Sequence, residues 1–521
     1  MNSKGHVVVV GTGLAGLCAA MAAAERGSEV TVMTKSPPGL GNCTTVAGGG
    51  FTLAVGGWTA QEHEELTFKT GYCLNQPDLV ETLSQQAPAM ARRLQAWGVP
   101  FSQSRGSIGT ARYAPHALRR GEVITGPLVA YLKNLGVKFL SRTLVTEIFC
   151  DDKGVCGLQW LDKKDGQYYR MAAAAVVLAT GGAGRVWGRT DNPPGSTGDG
   201  FRLAFSLGLP FRDMEFVQFY PLGVYEPGFT TWMVGLHMAD RVPLTDEQGH
   251  DILSPWLEEW GLRDAAHANL VARDRVSVRL GQLYSQGKSA YLHVDQLPQE
   301  EWKDPDLQLL AHMYPRHRSR GDAPVRVAPL QHYMCGGVVI TSQAATELPG
   351  LWVCGELAGG VDGANRVGGN ALSHCMVFGY RAGQQAAQRQ ERSLPRPARG
   401  SILHHQEDGM PPDEIVSSLQ SISERYLGPV RSEVGLARAQ EQLCQLRERL
   451  GSWQLRKPSD RVKAYQAHSA WVVARLVGHA ARMRTESRGT HYRSDYPHRK
   501  ECWNKPVVLR GDQTGDQIIA E

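Results

Sequence analysis

The ten cysteines of this chain include no CxxC pair and no CxxCxxC run: Cys18, Cys43, Cys73, Cys150, Cys156, Cys335, Cys354, Cys375, Cys444 and Cys502 lie scattered from end to end. That spacing excludes the usual iron–sulfur and zinc frames. An excess of charge of one sign is missing as well. Lys and Arg number 56 against 51 Asp and Glu, a formal net charge of +5 over 521 residues, and the 17 His form no tract. So small an imbalance argues against a nucleic-acid binder and leaves room for a basic site that takes an anionic ligand. There is no collagen period, no internal repeat and no secretory signal, so the thiols are expected to be reduced and the chain cytoplasmic. Val7 to Ala24 runs uncharged and largely apolar for eighteen residues. The glycines inside that run argue against a membrane span or a signal core.

What the sequence has in excess is glycine. The 58 glycines are roughly 11% of the chain against a usual ~7%, which calls for close backbone approaches to a ligand. With 42% apolar and 21% charged residues the chain can fill real cores, and its length corresponds to about three compact units.

His6-Val7-Val8-Val9-Val10 reads as a short strand, Gly11-Thr12-Gly13-Leu14-Ala15-Gly16 as a tight turn, and the Ala-rich run to Glu25-Arg26-Gly27 as a helix; Glu29 to Thr34 then closes a βαβ unit. In that context Gly11, Gly13 and Gly16 serve a tight turn, room for a pyrophosphate and close helix-on-strand packing, with the helix N-terminus facing the phosphates. The second strand ends Thr34-Lys35-Ser36, without the acidic residue that usually holds the adenosine ribose. A hydroxyl or backbone contact must replace it, or Lys35 meets a phosphate. Two more apolar strands run into small residues, at Ala175 to Gly182, which includes Ala179, Thr180 and Gly181, and at Leu351 to Glu356, which includes Gly355. Three such junctions over 350 residues point to one nucleotide domain interrupted by insertions.

The expected fold class is therefore α/β, with the nucleotide domain at 1–221 plus 335–387 and an inserted α+β capping domain at 222–334. Asp264 to Gln286 and Pro298 to His312 look helical within the insertion. Residues 388–414, with Ser393-Leu394-Pro395-Arg396-Pro397, read as a linker, and 415–521 as a C-terminal helical domain and tail. Helical spacing there runs over 415–450 and 461–486.

Four strings carry a more specific signal: Asp213 to Pro221, Ala272-Arg273-Asp274-Arg275-Val276-Ser277, Pro329 to Gly337 with His332, and Gly355-Glu356 through Gly363-Ala364-Asn365-Arg366-Val367-Gly368-Gly369-Asn370-Ala371-Leu372. Together with Ser196-Thr197-Gly198-Asp199-Gly200 and Glu486 to Pro497, they resemble the flavoprotein subunit family of fumarate reductase and succinate dehydrogenase, which also contains L-aspartate oxidase. The resemblance covers almost the whole chain. It implies an FAD-dependent oxidoreductase whose Rossmann-like domain binds FAD. Gly11, Gly13 and Gly16 would lie at the pyrophosphate, Thr197 and Asp199 at the cofactor, Glu356 on ribityl or ribose hydroxyls, and Ala371 and Leu372 near the flavin pyrimidine edge. Thr34, Lys35, Thr44, Gly49, Gly50, Ala179, Thr180, Gly181 and Gly355 complete the expected cofactor set.

The family often tethers its flavin through a His, and here Cys43 stands at that place in Asn42 to Gly50. Non-covalent FAD is the simplest inference, with a cysteinyl link as the other reading. The resemblance further implies hydride exchange between flavin N5 and an α,β-unsaturated carboxylate, with His332 and Arg366 clamping the carboxylate and Arg273 delivering the proton. An Arg is a poor acid by its reference pKa, so that role requires a relay. Two departures bear on the substrate. Tyr220 in Gln218-Phe219-Tyr220-Pro221 replaces a His for the second carboxylate, and Met233-Val234-Gly235-Leu236-His237 stands where a Thr–Glu pair holds that carboxylate and feeds protons to the Arg. The far end of the substrate is thus expected to meet an aromatic pocket around Tyr220, Trp232 and His237, which suits an enoate better than a plain dicarboxylate. Since the chain carries no iron–sulfur or haem motif, a redox partner subunit with such centres is expected. Its dock would be the basic strip of Arg482, Arg484, Arg488, Arg493, His498, Arg499 and Lys500. An amino-acid oxidase resembling L-aspartate oxidase and an electron-relay FAD subunit are the alternatives.

Overall fold

The computed structural model describes residues 5–110, 121–226, 232–303, 307–308, 310–311, 323–393, 403, 405–511 and 517–520. Its centre is a five-stranded parallel sheet in the order Leu351–Val353, Ala175–Leu178, Val7–Val10, Val30–Thr34, Lys138–Ser141. Strands buried on both faces need unbroken apolar sequence, and Val7–Val10 is four valines, each at most 7% exposed. The three junctions read from the sequence are neighbours in this sheet. Val10 pairs in register with Leu178, and Leu178 with Val353, so Gly11, Ala179 and Cys354 leave the sheet at one level. That row of carboxyl ends, beside the point where the chain order reverses, is where open α/β sheets bind nucleotides.

The helix Leu14–Glu25 explains the long apolar run from Val7. Its first ten residues are all buried, and it crosses the helix Asn370–Ala386 at very close range. A Cβ on Gly379 would come 2.3 Å from the Ala15 carbonyl oxygen, and one on Gly383 2.0 Å from that of Ala19. No helix among the described residues is long and apolar enough to cross a membrane.

A four-stranded antiparallel sheet runs Val217–Val224, Val325–Met334, Ala290–Leu292, Leu244–Thr245. The helical stretch expected at Asp264 to Gln286 is two helices, Ala265–Val271 and Arg273–Ser285, broken at Ala272 (φ −142°, ψ 19°). Asp264 caps the first by accepting from the His267 N–H at 2.6 Å, and the break makes Arg273 the first residue of the second. The stretch expected at Pro298 to His312 begins instead as a 3-10 turn, Gln299–Lys303, and much of its remainder lies outside the described residues.

The Pro-rich stretch from Leu394 to Pro397 also lies outside the described residues. Beyond it His405–Met410 is a strand, and three helices follow, Pro412–Tyr426, Glu433–Arg449 and Pro458–Met483. The 415–450 stretch is divided at 427–432, where Pro429 cannot continue a helix. The tail is not wholly helical: Val508–Gly511 pairs with Phe211–Arg212.

The basic strip expected as a dock is not one continuous surface. Arg484, Arg488 and Arg493 are buried, and only Arg482, His498, Arg499 and Lys500 are exposed. Arg484 pairs with Glu215 at 2.5 Å and with Glu486 at 3.0 Å, Arg488 pairs with Glu486 at 2.7 Å, and Arg493 pairs with Asp495 at 2.7 Å. Arg484 ties the tail to the loop before Val217–Val224, while Arg488 and Arg493 are neutralised within the tail segment itself, because a buried charge is tolerated only with partners.

Candidate functional site

The glycine turn builds a cradle from backbone alone. Gly11 sits at φ +121°, and a Cβ there would meet the Ala179 carbonyl oxygen at 2.1 Å; one on Gly16 would meet that of Gly11 at 2.1 Å. The protein itself demands both glycines. Gly13 differs, since its Cβ would make only ordinary contacts, with Thr44 Oγ1 at 3.4 Å and Asn42 Oδ1 at 3.9 Å, and it lines a cavity with Gly11, Thr34, Lys35, Ala179, Gly181 and Gly355. The helix that starts at Leu14 has no acidic residue in its first turn and no side-chain cap from Gly13; Thr44 Oγ1 accepts from the Leu14 N–H at 3.1 Å. Its positive end therefore faces the cavity and favours an anion. Thr180 Oγ1, on the same wall, is buried without a partner. These features fit a dinucleotide with its pyrophosphate at the helix terminus.

Lys35 and Asp199 also line this cavity, and they bind each other. Asp199 further accepts from Thr197 Oγ1 and from Ser469 Oγ, both at 3.0 Å, which joins the nucleotide sheet to the helix Pro458–Met483. Thr197 reaches Lys35 at 3.0 Å but does not line the cavity, and Gly16 lies beneath it.

A second cavity of about 610 Å³ adjoins the first, and both share Cys43, Thr44, Glu356 and Cys375. Its volume lies in the range of small-ligand sites. Gly49, Gly50, Ala371 and Leu372 line it, as do Arg273, His332 and Arg366. Glu356, at the junction, accepts from the Met334 N–H at 3.0 Å, and burial pushes its carboxyl up to about 7. Cys43 lies 3.4 Å from both Asn192 Oδ1 and Ser196 Oγ; burial, then the charge of Glu356, pushes its thiol up, so it stays neutral.

Arg366 and Arg273 are 5% and 7% exposed and adjoin each other, for Arg273 Nη2 donates to the Arg366 carbonyl at 3.3 Å. Arg366 donates to Gln218 Oε1 at 2.9 Å and lies over the Tyr333 ring at 4.3 Å. Among the described residues neither guanidinium forms an ion pair, and the Nε of each is buried without a partner. Burial, then the charge of Arg366, lowers Arg273 to about 10. Two adjoining cations in a low-dielectric cavity repel unless an anion joins them. His332 is oriented by Asp191, whose Oδ2 lies 2.7 Å from Nδ1, leaving Nε2 for a ligand.

Tyr220 is placed differently from expectation. Its hydroxyl donates to Asn269 Oδ1 at 3.1 Å and accepts from the Leu236 N–H at 2.9 Å, and the residue does not line the cavity. The ring packs 5.6 Å from both His332 and the Arg273 guanidinium, so it supports the clamp from behind. His237 is exposed and does not line the cavity, whereas Trp232 and Met233 do. Sequence reasoning missed Asp191, Gln218 as an Arg366 partner, and Cys375. Asp191 stands in an ordinary loop string, and only its 2.7 Å approach to a strand 141 residues on marks it.

The chain matches the model of a family described as FAD binding domain over residues 6–372, and that of the fumarate reductase flavoprotein C-terminal region over 416–519. It is 30% identical to an uncharacterized FAD-dependent oxidoreductase of Methanocaldococcus jannaschii over 98% of this chain and 96% of that one. It is 32% identical to an L-aspartate oxidase of Streptomyces coelicolor over 97% and 91%. Among solved structures, a chain of E. coli quinol fumarate reductase superposes with a TM-score of 0.87 at 25% identity, over 99% of this chain and 96% of that one.

Proposed function

Because this chain belongs to the FAD-dependent oxidoreductase family of the fumarate reductase and succinate dehydrogenase type, we propose that it reduces an α,β-unsaturated carboxylate whose far end is uncharged. The observation that carries the reading is the adjoining buried pair Arg273 and Arg366, each with an Nε that has no partner. A carboxylate is the anion that a guanidinium fork fits best.

The cofactor would be held with its pyrophosphate at the Leu14 helix terminus beside Gly11 and Gly13, its hydroxyls near Glu356, and its ring system toward Ala371 and Leu372. FAD bound there supplies the hydride at its N5. Non-covalent binding is favoured by the neutral Cys43 thiol, since a thioether link requires a thiolate. Arg366 and His332 bind the substrate carboxylate and draw negative charge toward it as the double bond is reduced. Arg273 holds the proton that goes to the α-carbon, and its lowered pKa suits that role. At the far end Trp232 and Met233 offer apolar surface, and Tyr220 has both hydroxyl interactions committed elsewhere.

Among the described residues no cluster of His, Cys, Asp and Glu could hold a metal ion. A redox partner subunit carrying iron–sulfur or haem centres is part of the proposal, supported by the likeness to a chain of E. coli quinol fumarate reductase. The likeness to an L-aspartate oxidase supports a second reading, in which the same clamp takes an amino-acid carboxylate and electrons pass to oxygen; formation of peroxide identifies it.

The test is anaerobic. The flavin is reduced chemically, and fumarate and then a panel of enoates including aryl acrylates are added while return of the oxidised spectrum is followed. Reoxidation by a bulkier enoate and not by fumarate is expected. Arg366→Ala should abolish it, by at least about a hundredfold for loss of a charge aimed at the transition state, with flavin content unchanged. Reoxidation by none of them would favour an electron-relay subunit.

A further inference from the structure

Arg273 opens the helix Arg273–Ser285 and faces the second cavity, while Asp274, the next residue, faces the opposite way. It lines a separate cleft between that helix and the 487–498 segment, together with Tyr72, Gln282, His491 and His498. Asp274 is 4% exposed, and its Oδ1 is buried without a partner, as is Arg273 Nε. Its other oxygen, Oδ2, accepts from the Tyr72 hydroxyl at 2.9 Å. Tyr72 and Cys73 have φ of 55° and 56°, two successive non-glycine residues in the left-handed region, where side chains are disfavoured. The surrounding fold holds them there: the Gly71 carbonyl accepts from the Ala364 N–H at 2.9 Å, two residues before Arg366. Strained backbone of this kind persists where it positions a side chain for a purpose.

Resting on the reading of Arg273 as proton donor, we propose that Asp274 and Tyr72 are a relay that returns protons to Arg273 from the 487–498 cleft. Arg273 gives its proton to the substrate α-carbon and becomes neutral. The Asp274 carboxylic acid, which makes no direct bond to the guanidinium, reprotonates it through one water bridging the two unpartnered atoms and becomes a carboxylate, and the Tyr72 hydroxyl passes its proton to Asp274 while taking one from water in the cleft. One proton enters for each that leaves, and the electron pair arrives with the hydride. Burial raises the pKa of the Asp274 carboxyl, which favours the acid form.

Single-turnover reoxidation of the reduced holoprotein tests the relay, with the best enoate of the panel, in H2O and D2O. For Tyr72→Phe the rate should fall about tenfold with half-saturation and flavin spectrum unchanged, and the solvent isotope effect should rise. Asp274→Asn should cost about a hundredfold, within the range of general acid catalysis, and Asp274→Glu should restore part of it. Infrared spectra of the substrate-free protein provide a second readout: a protonated-carboxyl stretch absent in Asp274→Asn and shifted in Tyr72→Phe. Should Asp274→Asn fail to fold, Tyr72→Phe decides. Wild-type rates in Tyr72→Phe with an unmoved band would overturn the relay alone. A wild-type protein that no enoate reoxidises would overturn the proposed function, and the relay with it.

Discussion

Glu356 sits at the meeting of the two cavities with its carboxyl raised to about 7 by burial. Sugar hydroxyls donate more strongly, and to more lone pairs, on a carboxylate than on a carboxylic acid, so flavin binding should ionise it. Affinity for FAD is then expected to rise toward tenfold per pH unit up to about pH 7 and level off above. Glu356→Gln should flatten that profile, as titration of the flavin-free protein with FAD at several pH values would read. In the flavin-free protein the sign is opposite. A carboxyl raised from 4.5 to about 7 stabilises the fold below pH 4.5 and loses that contribution as pH rises through 7. At this scale the sequence was a good guide where a residue acts through its own chemistry. Arg273, His332 and Arg366 were legible, and the structure brings them to one cavity. It was a poor guide where a residue acts through a neighbour distant in the chain. Tyr220 was read as a substrate contact because its hydroxyl partners, Asn269 and the Leu236 N–H, come from 16 to 49 residues away. Asp191 was missed for the same reason.

Among the elements, the crossing of Leu14–Glu25 on Asn370–Ala386 places the cofactor cradle against the helix that begins beside Ala371 and Leu372. Two glycines let the backbones meet. Gly383→Ala would put a methyl group 2.0 Å from the Ala19 carbonyl oxygen, and both atoms belong to stiff helices. The expected cost is about 1–3 kcal/mol of overpacking, seen as a lower temperature of flavin release on heating, whereas Gly126→Ala changes a glycine of the helix Glu122–Asn134 with open space around it and should leave that temperature unchanged. Strand ends and the glycine turn were legible because valine runs and left-handed turns leave short-range signals. The break at Ala272 was not, since the apolar spacing runs through it and only the backbone angles reveal two helices. Yet that break presents Arg273 to one cavity and Asp274 to another.

For the whole molecule, the buried ion network replaces the docking strip that charge counting suggested. Arg484 reads alike whether solvated or paired, because one of its carboxylate partners, Glu215, stands 269 residues away in the chain. Both side chains are 0% exposed, so Arg484→Met should leave Glu215 an uncompensated buried charge and cost about 3–5 kcal/mol. Replacing Glu215 with an apolar residue as well should recover much of it, which denaturant unfolding of the tail can follow. The row of strand ends has a consequence for biosynthesis. Val10, Leu178 and Val353 are adjacent in the sheet and far apart in the chain. On a ribosome adding about 5–20 residues per second, roughly 20–70 s separate the emergence of Val10 from that of Val353. Until Ala175–Leu178 emerges one edge of the valine strand is open, and from then until Val353 emerges the open edge is that of Ala175–Leu178, a template for mispairing with other nascent chains. The nucleotide cradle closes only late in translation, and until then the newborn protein is a natural client for chaperones.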